Sequence, residues 1–243
     1  MTYLVLGMHK SGTTLIAQTL HKSGINMGWD LSEEDLDYSR QKCESPSVNE
    51  INYELLDCKG VHSLDVHSNK QLNITPAVKD SMNKFINRQN KNYSKWGFKD
   101  PRTVLTYSVW NQFLPRHKVV VVYRKPDNVV RHYQKKAKGF NLFRACKTLW
   151  VWKKYNLEIL SILKDKSKEE MIVINYDNMM NGDEEFGRIS TFTGMDIVDM
   201  RDFKTGSKNK KFPAIYVLLK YLFGINRVLD QLNAVKQEMD NSE

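Results

Sequence analysis

Gly7-Met8-His9-Lys10-Ser11-Gly12-Thr13-Thr14 is a loop sequence that joins a short apolar run to a helical pattern near the start of the chain. The run from Tyr3 to Met8 has strand character, and the helical pattern ends at Ser23-Gly24. A glycine loop between a strand and a helix directs several backbone N–H groups, and the positive end of the helix dipole, at one place. The stretch therefore predicts a binding site for an oxyanion such as phosphate.

The loop differs from the P-loop of nucleotide triphosphatases in its cations. Gly7 and Gly12 have the four-residue gap of a P-loop, but Thr13 stands where such a loop carries its lysine, and the lysine is Lys10 inside the loop. P-loop enzymes also hold Mg²⁺ with an aspartate at the end of a second strand, whereas the valine-rich strand here ends in Tyr123-Arg124. We therefore expect phosphate to be held by N–H groups, hydroxyls and fixed cations, without a metal.

The rest of the chain alternates between strand and helix patterns. His117 to Tyr123 contains four consecutive valines, which is typical of a strand buried on both faces, and Met171 to Tyr176 predicts another buried strand. Helices are predicted from Thr75-Pro76, from Pro126, and from Leu142 to Leu163, and a surface loop is predicted from Arg88 to Lys95. This order indicates an α/β fold of three layers, α/β/α, around a central, mostly parallel sheet.

Composition limits the class of protein. The chain has 243 residues, a formal net charge of +9 and 41% hydrophobic residues, which favour one folded domain over a disordered polyelectrolyte. No apolar run approaches the roughly 18 residues of a membrane span, and we expect a cytoplasmic protein.

Three widely spaced cysteines suggest neither a disulfide framework nor a metal site. The basic charge suits nucleic acid, a membrane surface or a phosphorylated small molecule, but no helix-turn-helix or zinc signature supports nucleic acid.

The tail carries a sequence pattern of its own. We divide the chain into an α/β domain at residues 1–203 and, at residues 204–243, a basic loop followed by a C-terminal helix. That helix carries a seam with alternating spacings of three and four residues: Leu218, Tyr221, Ile225, Val228, Leu232, Val235 and Met239. The seam predicts packing on the chain's own domain, with packing on a homodimer partner or on a membrane surface as alternatives.

Several motifs together resemble those of sulfotransferases that use 3′-phosphoadenosine 5′-phosphosulfate (PAPS). The loop from Gly7 to Thr14 is similar to the family's 5′-phosphosulfate loop. Val119 to His132 is similar to the family's strand that ends in an arginine, here Arg124, with a serine eight residues later that is His132 in this chain. Weaker matches are Trp96 to Arg102, and Cys43-Glu44 followed by Asn52, Leu55 and Leu56. The resemblance covers roughly residues 1 to 195 in order.

The resemblance implies how the nucleotide is held. The loop residues would bind the 5′-phosphate: His9, Lys10, Ser11, Gly12, Thr13 and Thr14. Arg124 and His132 would bind the 3′-phosphate, and Lys208, Lys210 and Lys211 fall where the family closes a basic loop, although a solvated charge run is the simpler interpretation. The expected donor is PAPS, the expected product is adenosine 3′,5′-bisphosphate, and no metal is expected.

Candidate catalytic residues follow from the chemistry of sulfuryl transfer. Lys10 would stabilise charge that develops on the leaving phosphate. The acceptor hydroxyl needs a base, for which Glu44 matches a family glutamate, with His62 and His67 as alternatives. Lys99 and Arg102 would hold the sulfonyl oxygens or an acidic acceptor, or form structural salt bridges.

Two other functions and the acceptor remain open from the sequence. A P-loop nucleotide or small-molecule kinase is the nearest alternative, and it predicts Mg²⁺ dependence. A nucleic-acid-binding protein is the other. The acceptor is expected to be a carbohydrate or another small hydroxyl compound, and residues 29–75, which would shape its pocket, carry no readable motif.

Overall fold

A four-stranded parallel sheet forms the centre of the molecule. The computed structural model describes residues 1–27, 43–66, 71–135, 139–165, 170–202 and 211–241. Its strands are β1 (Thr2–Leu6), β2 (Trp96–Lys99), β3 (His117–Tyr123) and β4 (Met171–Asn175). They lie in the order β2-β1-β3-β4, and every neighbouring pair is parallel. The carboxyl ends of all four strands therefore meet at one edge of the sheet.

Helices connect and cover these strands. The first five are α1 (Thr13–Lys22), α2 (Pro46–Leu56), α3 (Pro76–Asn92), α4 (Thr103–Phe113) and α5 (Pro126–Gln134). The other five are α6 (Leu142–Asp165), α7 (Tyr176–Met179), α8 (Glu184–Thr193), α9 (Ala214–Leu222) and α10 (Ile225–Asp240). None of the described helices is long and apolar enough to cross a membrane.

The valine strand β3 separates two apolar cores. Val119 and Val121 pack into the larger core with Trp110 and Trp152, whereas Val120 and Val122 pack into the smaller one with α1 and α8. All four valines are fully buried. Successive side chains of a strand point to opposite faces of the sheet, so both faces of β3 are covered by a core. The α/β/α prediction is therefore confirmed.

The predicted surface loop from Arg88 to Lys95 is mostly helical. Helix α3 continues to Asn92, and only the last three residues of that stretch leave the helix. The side chain of Gln89 extends the apolar stripe of the helix and is 1% exposed. Composition alone was misleading here, because polar residues on the solvent face of a helix resemble a loop.

The C-terminal seam is divided between two helices. Gly224, with φ of +62°, separates α9 from α10. Ile225, Val228 and Leu232 are buried in the larger core, where α10 packs against α6 and β4 of the same chain. Leu218 and Tyr221 are instead 50% and 76% exposed. The prediction of one continuous seam is therefore wrong, because the left-handed glycine redirects the chain before the seam is complete.

Candidate active site

The loop after β1 is held in an unusual backbone conformation. Lys10 has φ of +69° and Gly12 has φ of +97°, both in the left-handed region. The Ser11 N–H donates a hydrogen bond to the Met8 carbonyl at 3.1 Å, which closes the turn. Gly12 stands at the N-cap of α1, and no described side chain caps this helix. The N–H groups of the first helical turn therefore remain open to an anion.

Both loop glycines are required by close contacts. A Cβ atom on Gly12 would lie 1.9 Å from Cδ2 of Tyr176, whose ring covers the loop from the end of β4. A Cβ atom on Gly7 would lie 2.4 Å from the carbonyl oxygen of Val122 in β3. Tyr176 and β3 thus fix the loop from two sides, and a larger residue at either glycine would displace it.

One cavity of about 540 Å³ lies beside this loop at the carboxyl edge of the sheet. Nine of the ten predicted site residues line it: His9, Lys10, Gly12, Thr13, Thr14, Glu44, Lys99, Arg124 and His132. Ser11 does not line it and is 1% exposed. Its lining also includes Arg102, Tyr53, Ser63 and Tyr176. The chain therefore brings residues from separate elements to one site that is rich in cations.

Glu44 and Lys99 form an ion pair at the wall of this cavity. Lys99 Nζ donates to Glu44 Oε1 at 2.6 Å and to Thr14 Oγ1 at 3.3 Å. The side chain of Lys99 is fully buried and that of Glu44 is 19% exposed. Burial lowers the pKa of Lys99, although the charge of Glu44 opposes this shift. Lys99 is the last residue of β2, and its two hydrogen bonds connect that strand to Glu44 and to the start of α1.

Arg124 connects the loop from Gly7 to Thr14, which we call the phosphate loop after its predicted ligand, to the end of β4. Its Nη1 donates to the Lys10 carbonyl at 3.2 Å, and its guanidinium carbon lies 4.6 Å from the centre of the Tyr176 ring. Its Nε lies 3.5 Å from Oδ1 of Asp177. The same carboxylate accepts hydrogen bonds from the Lys125 N–H and from Asn128 at the start of α5. Arg124 is thereby oriented by groups on both neighbouring elements while its side chain keeps 25% exposure.

Two histidines of the cavity are neutral at physiological pH. Burial, with the charges of Arg102, Lys99, Lys10 and His62, lowers the pKa of His9 to about 3. Burial, with the charges of Lys10, Lys135 and Arg124, lowers the pKa of His132 to about 4. Nε2 of His9 is buried and has no hydrogen-bond partner within the described residues. A neutral imidazole carries one N–H and one lone pair, so each ring can still donate one hydrogen bond.

Arg102 takes part in a buried polar cluster next to the cavity. Its Nε lies 2.9 and 3.0 Å from the two carboxylate oxygens of Asp100, its Nη2 donates to Asn49 at 3.0 Å, and its guanidinium carbon lies 4.0 Å from the centre of the Tyr53 ring. Asn52 donates a further hydrogen bond to Asp100 at 2.9 Å. Two roles were expected for Arg102: a contact with the substrate or a structural salt bridge. This geometry fits the structural salt bridge.

Of the two alternative bases, the structure describes only His62, which is placed less favourably than Glu44. His62 does not line the cavity; its Nδ1 accepts a hydrogen bond from the Leu64 N–H, and its ring lies 6.4 Å from that of Tyr133. His67, Lys208 and Lys210 lie outside the described residues, as does the whole stretch 28–42. Among the groups that the structure does describe, no cluster of three or more histidine, cysteine or acidic side chains could hold a metal ion.

Tyr176 and Asp177 are functional candidates that the sequence interpretation missed. They follow β4 directly, at the edge where ligands bind in open parallel sheets. Their position after a predicted buried strand was the signal available. Their contacts with Gly12 and Arg124 bridge more than fifty residues of sequence and depend on the order of the strands.

Comparisons with known proteins agree with this architecture. A model described as the sulfotransferase family matches residues 3–199. The sulfotransferase domain of the Synechococcus PCC 7002 olefin synthase superposes with a TM-score of 0.51 and 14% identity, over 92% of this chain and 94% of that domain. The sulfotransferase domain from the curacin biosynthetic pathway gives a TM-score of 0.51 and 11% identity, over 91% and 96% of the two chains. No curated protein matches the sequence.

Proposed function

The chain belongs to the sulfotransferase family, and from this premise we propose that it transfers a sulfuryl group from PAPS to the hydroxyl or amine of an acceptor without a metal ion. The observation that carries the proposal is the single cavity that contains the phosphate loop, the Glu44–Lys99 pair, Arg124 and His132. Its donors suit a nucleotide with two separate phosphates, because an open helix N-terminus lies on one side and an arginine on the other. The acceptor class that we favour is a carbohydrate or another small hydroxyl compound.

The 5′-phosphate would lie on the phosphate loop. Lys10, Thr13 and Thr14 line the cavity beside the N-terminus of α1, which no described side chain caps, so the helix N–H groups, the Lys10 ammonium and the two hydroxyls would donate to this phosphate. Lys10 and Gly12 have the left-handed φ angles that occur in backbone anion nests. These donors are fixed before a ligand arrives, so binding costs little reorganisation.

The 3′-phosphate would lie against Arg124 and His132. A guanidinium suits a terminal phosphate, since its planar fork donates two parallel hydrogen bonds. Tyr176 and Asp177 hold the Arg124 fork in place. The neutral imidazole of His132 would donate one hydrogen bond, as the serine at this position does in the family that the sequence resembles.

The donor supplies an SO₃ group, whose bond to a phosphate oxygen breaks as its bond to the acceptor atom forms. Lys10 would stabilise the charge that grows on that phosphate oxygen, and Lys99 would contact the sulfonyl oxygens. Glu44 would take the acceptor proton on Oε2, because Lys99 occupies Oε1. Movement of Lys99 from Glu44 toward the sulfonyl group would free the carboxylate for this role.

Replacement of Arg124 tests the orientation of the nucleotide. Arg124→Ala should weaken binding of adenosine 3′,5′-bisphosphate by about 2 to 4 kcal/mol, and weaken binding of adenosine 5′-phosphosulfate far less, because only the bisphosphate carries a 3′-phosphate. His132→Ser should be tolerated. Titration calorimetry with both nucleotides measures the difference, and Arg116→Ala, at an exposed arginine just before β3, is the control. Equal losses for the two nucleotides would contradict this placement of the 3′-phosphate.

A further inference from the structure

Helix α9 presents an apolar face to solvent. Five large apolar side chains on it are between 41% and 76% exposed: Ile215, Val217, Leu218, Tyr221 and Leu222. They occupy one side of the helix, whereas Tyr216, which is 1% exposed, and Leu219 face the core. Clustered exposure of this kind on a folded protein marks an interaction surface. We call these five side chains the α9 face.

The α9 face is too small for a stable protein–protein interface. Its helix has nine residues and is therefore only about 13 Å long. A stable interface buries roughly 800 Å² on each partner, which is more than five partly exposed side chains on one side of such a helix offer by themselves. A lipid surface has no such minimum, since each apolar side chain that enters it adds its own transfer free energy.

The segment of sequence that contains α9 is basic. Residues 203–229 contain six basic residues and no acidic residue, so this segment carries six of the nine net charges of the chain. Lys211, which precedes the helix, and Arg227, which follows it, are both exposed. Four of the five exposed side chains are aliphatic and offer a nucleic acid nothing to stack on or hydrogen-bond, but an apolar face flanked in sequence by basic residues matches a membrane whose headgroups are anionic.

The helix is anchored so that this face must point outward. Tyr216 donates a hydrogen bond to Asp127 at 2.8 Å, and Lys220 donates to the same carboxylate at 3.0 Å. Arg131 lies over the ring of Phe212, just before α9. Both Asp127 and Arg131 belong to α5, which starts at the carboxyl edge of the sheet beside Arg124. α9 is therefore fixed on the body of the protein near the cavity edge.

We propose that the α9 face docks on an anionic membrane surface, with its five apolar side chains at the headgroup boundary and the flanking basic residues against the anionic headgroups. This proposal does not depend on the sulfuryl-transfer reaction. The protein lies on the membrane through this face.

Vesicle co-sedimentation tests the proposal with the full chain. The protein should bind phosphatidylcholine vesicles that contain phosphatidylglycerol, bind pure phosphatidylcholine vesicles weakly, and dissociate as salt is raised. Val217→Asp/Leu222→Asp should lower binding roughly tenfold or more, because it removes apolar area and adds repulsive charge. Ile74→Asp/Val198→Asp is the matched control, with the same charge change at side chains that are 43% and 45% exposed elsewhere.

Three outcomes would each overturn the proposal. They are unchanged binding by the Val217→Asp/Leu222→Asp variant, an equal loss of binding in the control variant, and no binding of the original protein to anionic vesicles. A dimer mass in solution that the variant reduces to a monomer, without vesicle binding, would assign the face to self-association instead. Unchanged thermal unfolding of both variants shows that the substitutions at these exposed positions leave the fold intact.

Discussion

At the scale of single residues, the phosphate loop depends on the absence of a side chain at Gly12. The residue combines a left-handed φ of +97° with a Tyr176 ring that occupies the position of any Cβ atom. Either condition alone disfavours other residues, and together they require glycine. The conformation of the loop and the position of the Tyr176 ring therefore depend on each other.

Gly12→Ala should destabilise the protein by about 2 to 4 kcal/mol, because alanine adds left-handed strain and a clash with an aromatic ring. Gly187→Ala is the matched control. Gly187 lies inside α8 with open space around its Cα, so alanine there should stabilise the protein by about 0.5 to 1 kcal/mol. Urea unfolding of both variants measures the contrast. Equal stabilities would show that Tyr176 does not cover the loop closely.

Lys10→Ala should lower turnover by about 10²-fold or more while nucleotide affinity falls only modestly, because the lysine is assigned to charge that appears in the transition state. The release of adenosine 3′,5′-bisphosphate from PAPS gives the rate, and calorimetry gives the affinity. Lys22→Ala, at an exposed lysine at the end of α1, should change neither. Parallel losses of rate and affinity in Lys10→Ala would assign the residue to ground-state binding.

At the scale of elements, α10 is part of the core of its own chain. Ile225, Val228 and Leu232 are buried in the larger core. Lys236 of the same helix lies 3.3 Å from Glu185 of α8, and Asp240 pairs with Arg188 of α8. Burial raises the pKa of Glu185, and Lys236 opposes that rise. Apolar contacts and ion pairs thus fasten the end of the chain beside β4.

Leu232→Ala should cost about 2 to 4 kcal/mol of folding free energy, because it leaves a cavity in this core. Leu222→Ala, at a position that is 65% exposed in α9, should cost less than about 0.5 kcal/mol. Denaturant unfolding compares the two, with light scattering to follow the mass. If Leu232→Ala changed the mass of a dimer without a loss of monomer stability, the seam would belong to a partner interface.

At the scale of the whole molecule, the buried histidines should make the fold sensitive to acid. The pKa of His9 falls to about 3 in the folded chain, whereas an unfolded histidine has a pKa near 6.5. The unfolded state therefore binds more protons between these values, so stability is complete above about pH 6.5 and is lost as the pH falls toward 3.

This loss should amount to about 2 kcal/mol for His9 between pH 7 and pH 5. His9→Asn, which does not titrate there, should show a shallower decline of the unfolding free energy than the original protein. His21→Asn is a useful comparison, since the pKa of His21 is also lowered but its ring lies outside the cavity. Identical pH profiles for His9→Asn and the original protein would mean that the imidazole is protonated in the fold.

The sequence was most informative where local pattern and tertiary environment agree. Four consecutive valines predicted β3, and the glycine loop after β1 predicted residues that line the cavity, because both signals depend on neighbours in sequence. The sequence could not predict the Glu44–Lys99 contact or the cover of Gly12 by Tyr176. Both follow from the strand order β2-β1-β3-β4, which brings residues that are distant in sequence together. The tail was misjudged because a periodic pattern does not show where Gly224 turns the chain.

The binding of adenosine 3′,5′-bisphosphate in the presence of a metal chelator tests the central claim most directly. We predict that the nucleotide raises the unfolding temperature without Mg²⁺, with a stabilisation of about 2.7 kcal/mol at a hundredfold excess over its dissociation constant. Arg124→Ala should remove most of this shift. An unchanged unfolding temperature with the bisphosphate, or a shift seen only with ATP and Mg²⁺, would contradict the sulfuryl-transfer account and favour a kinase.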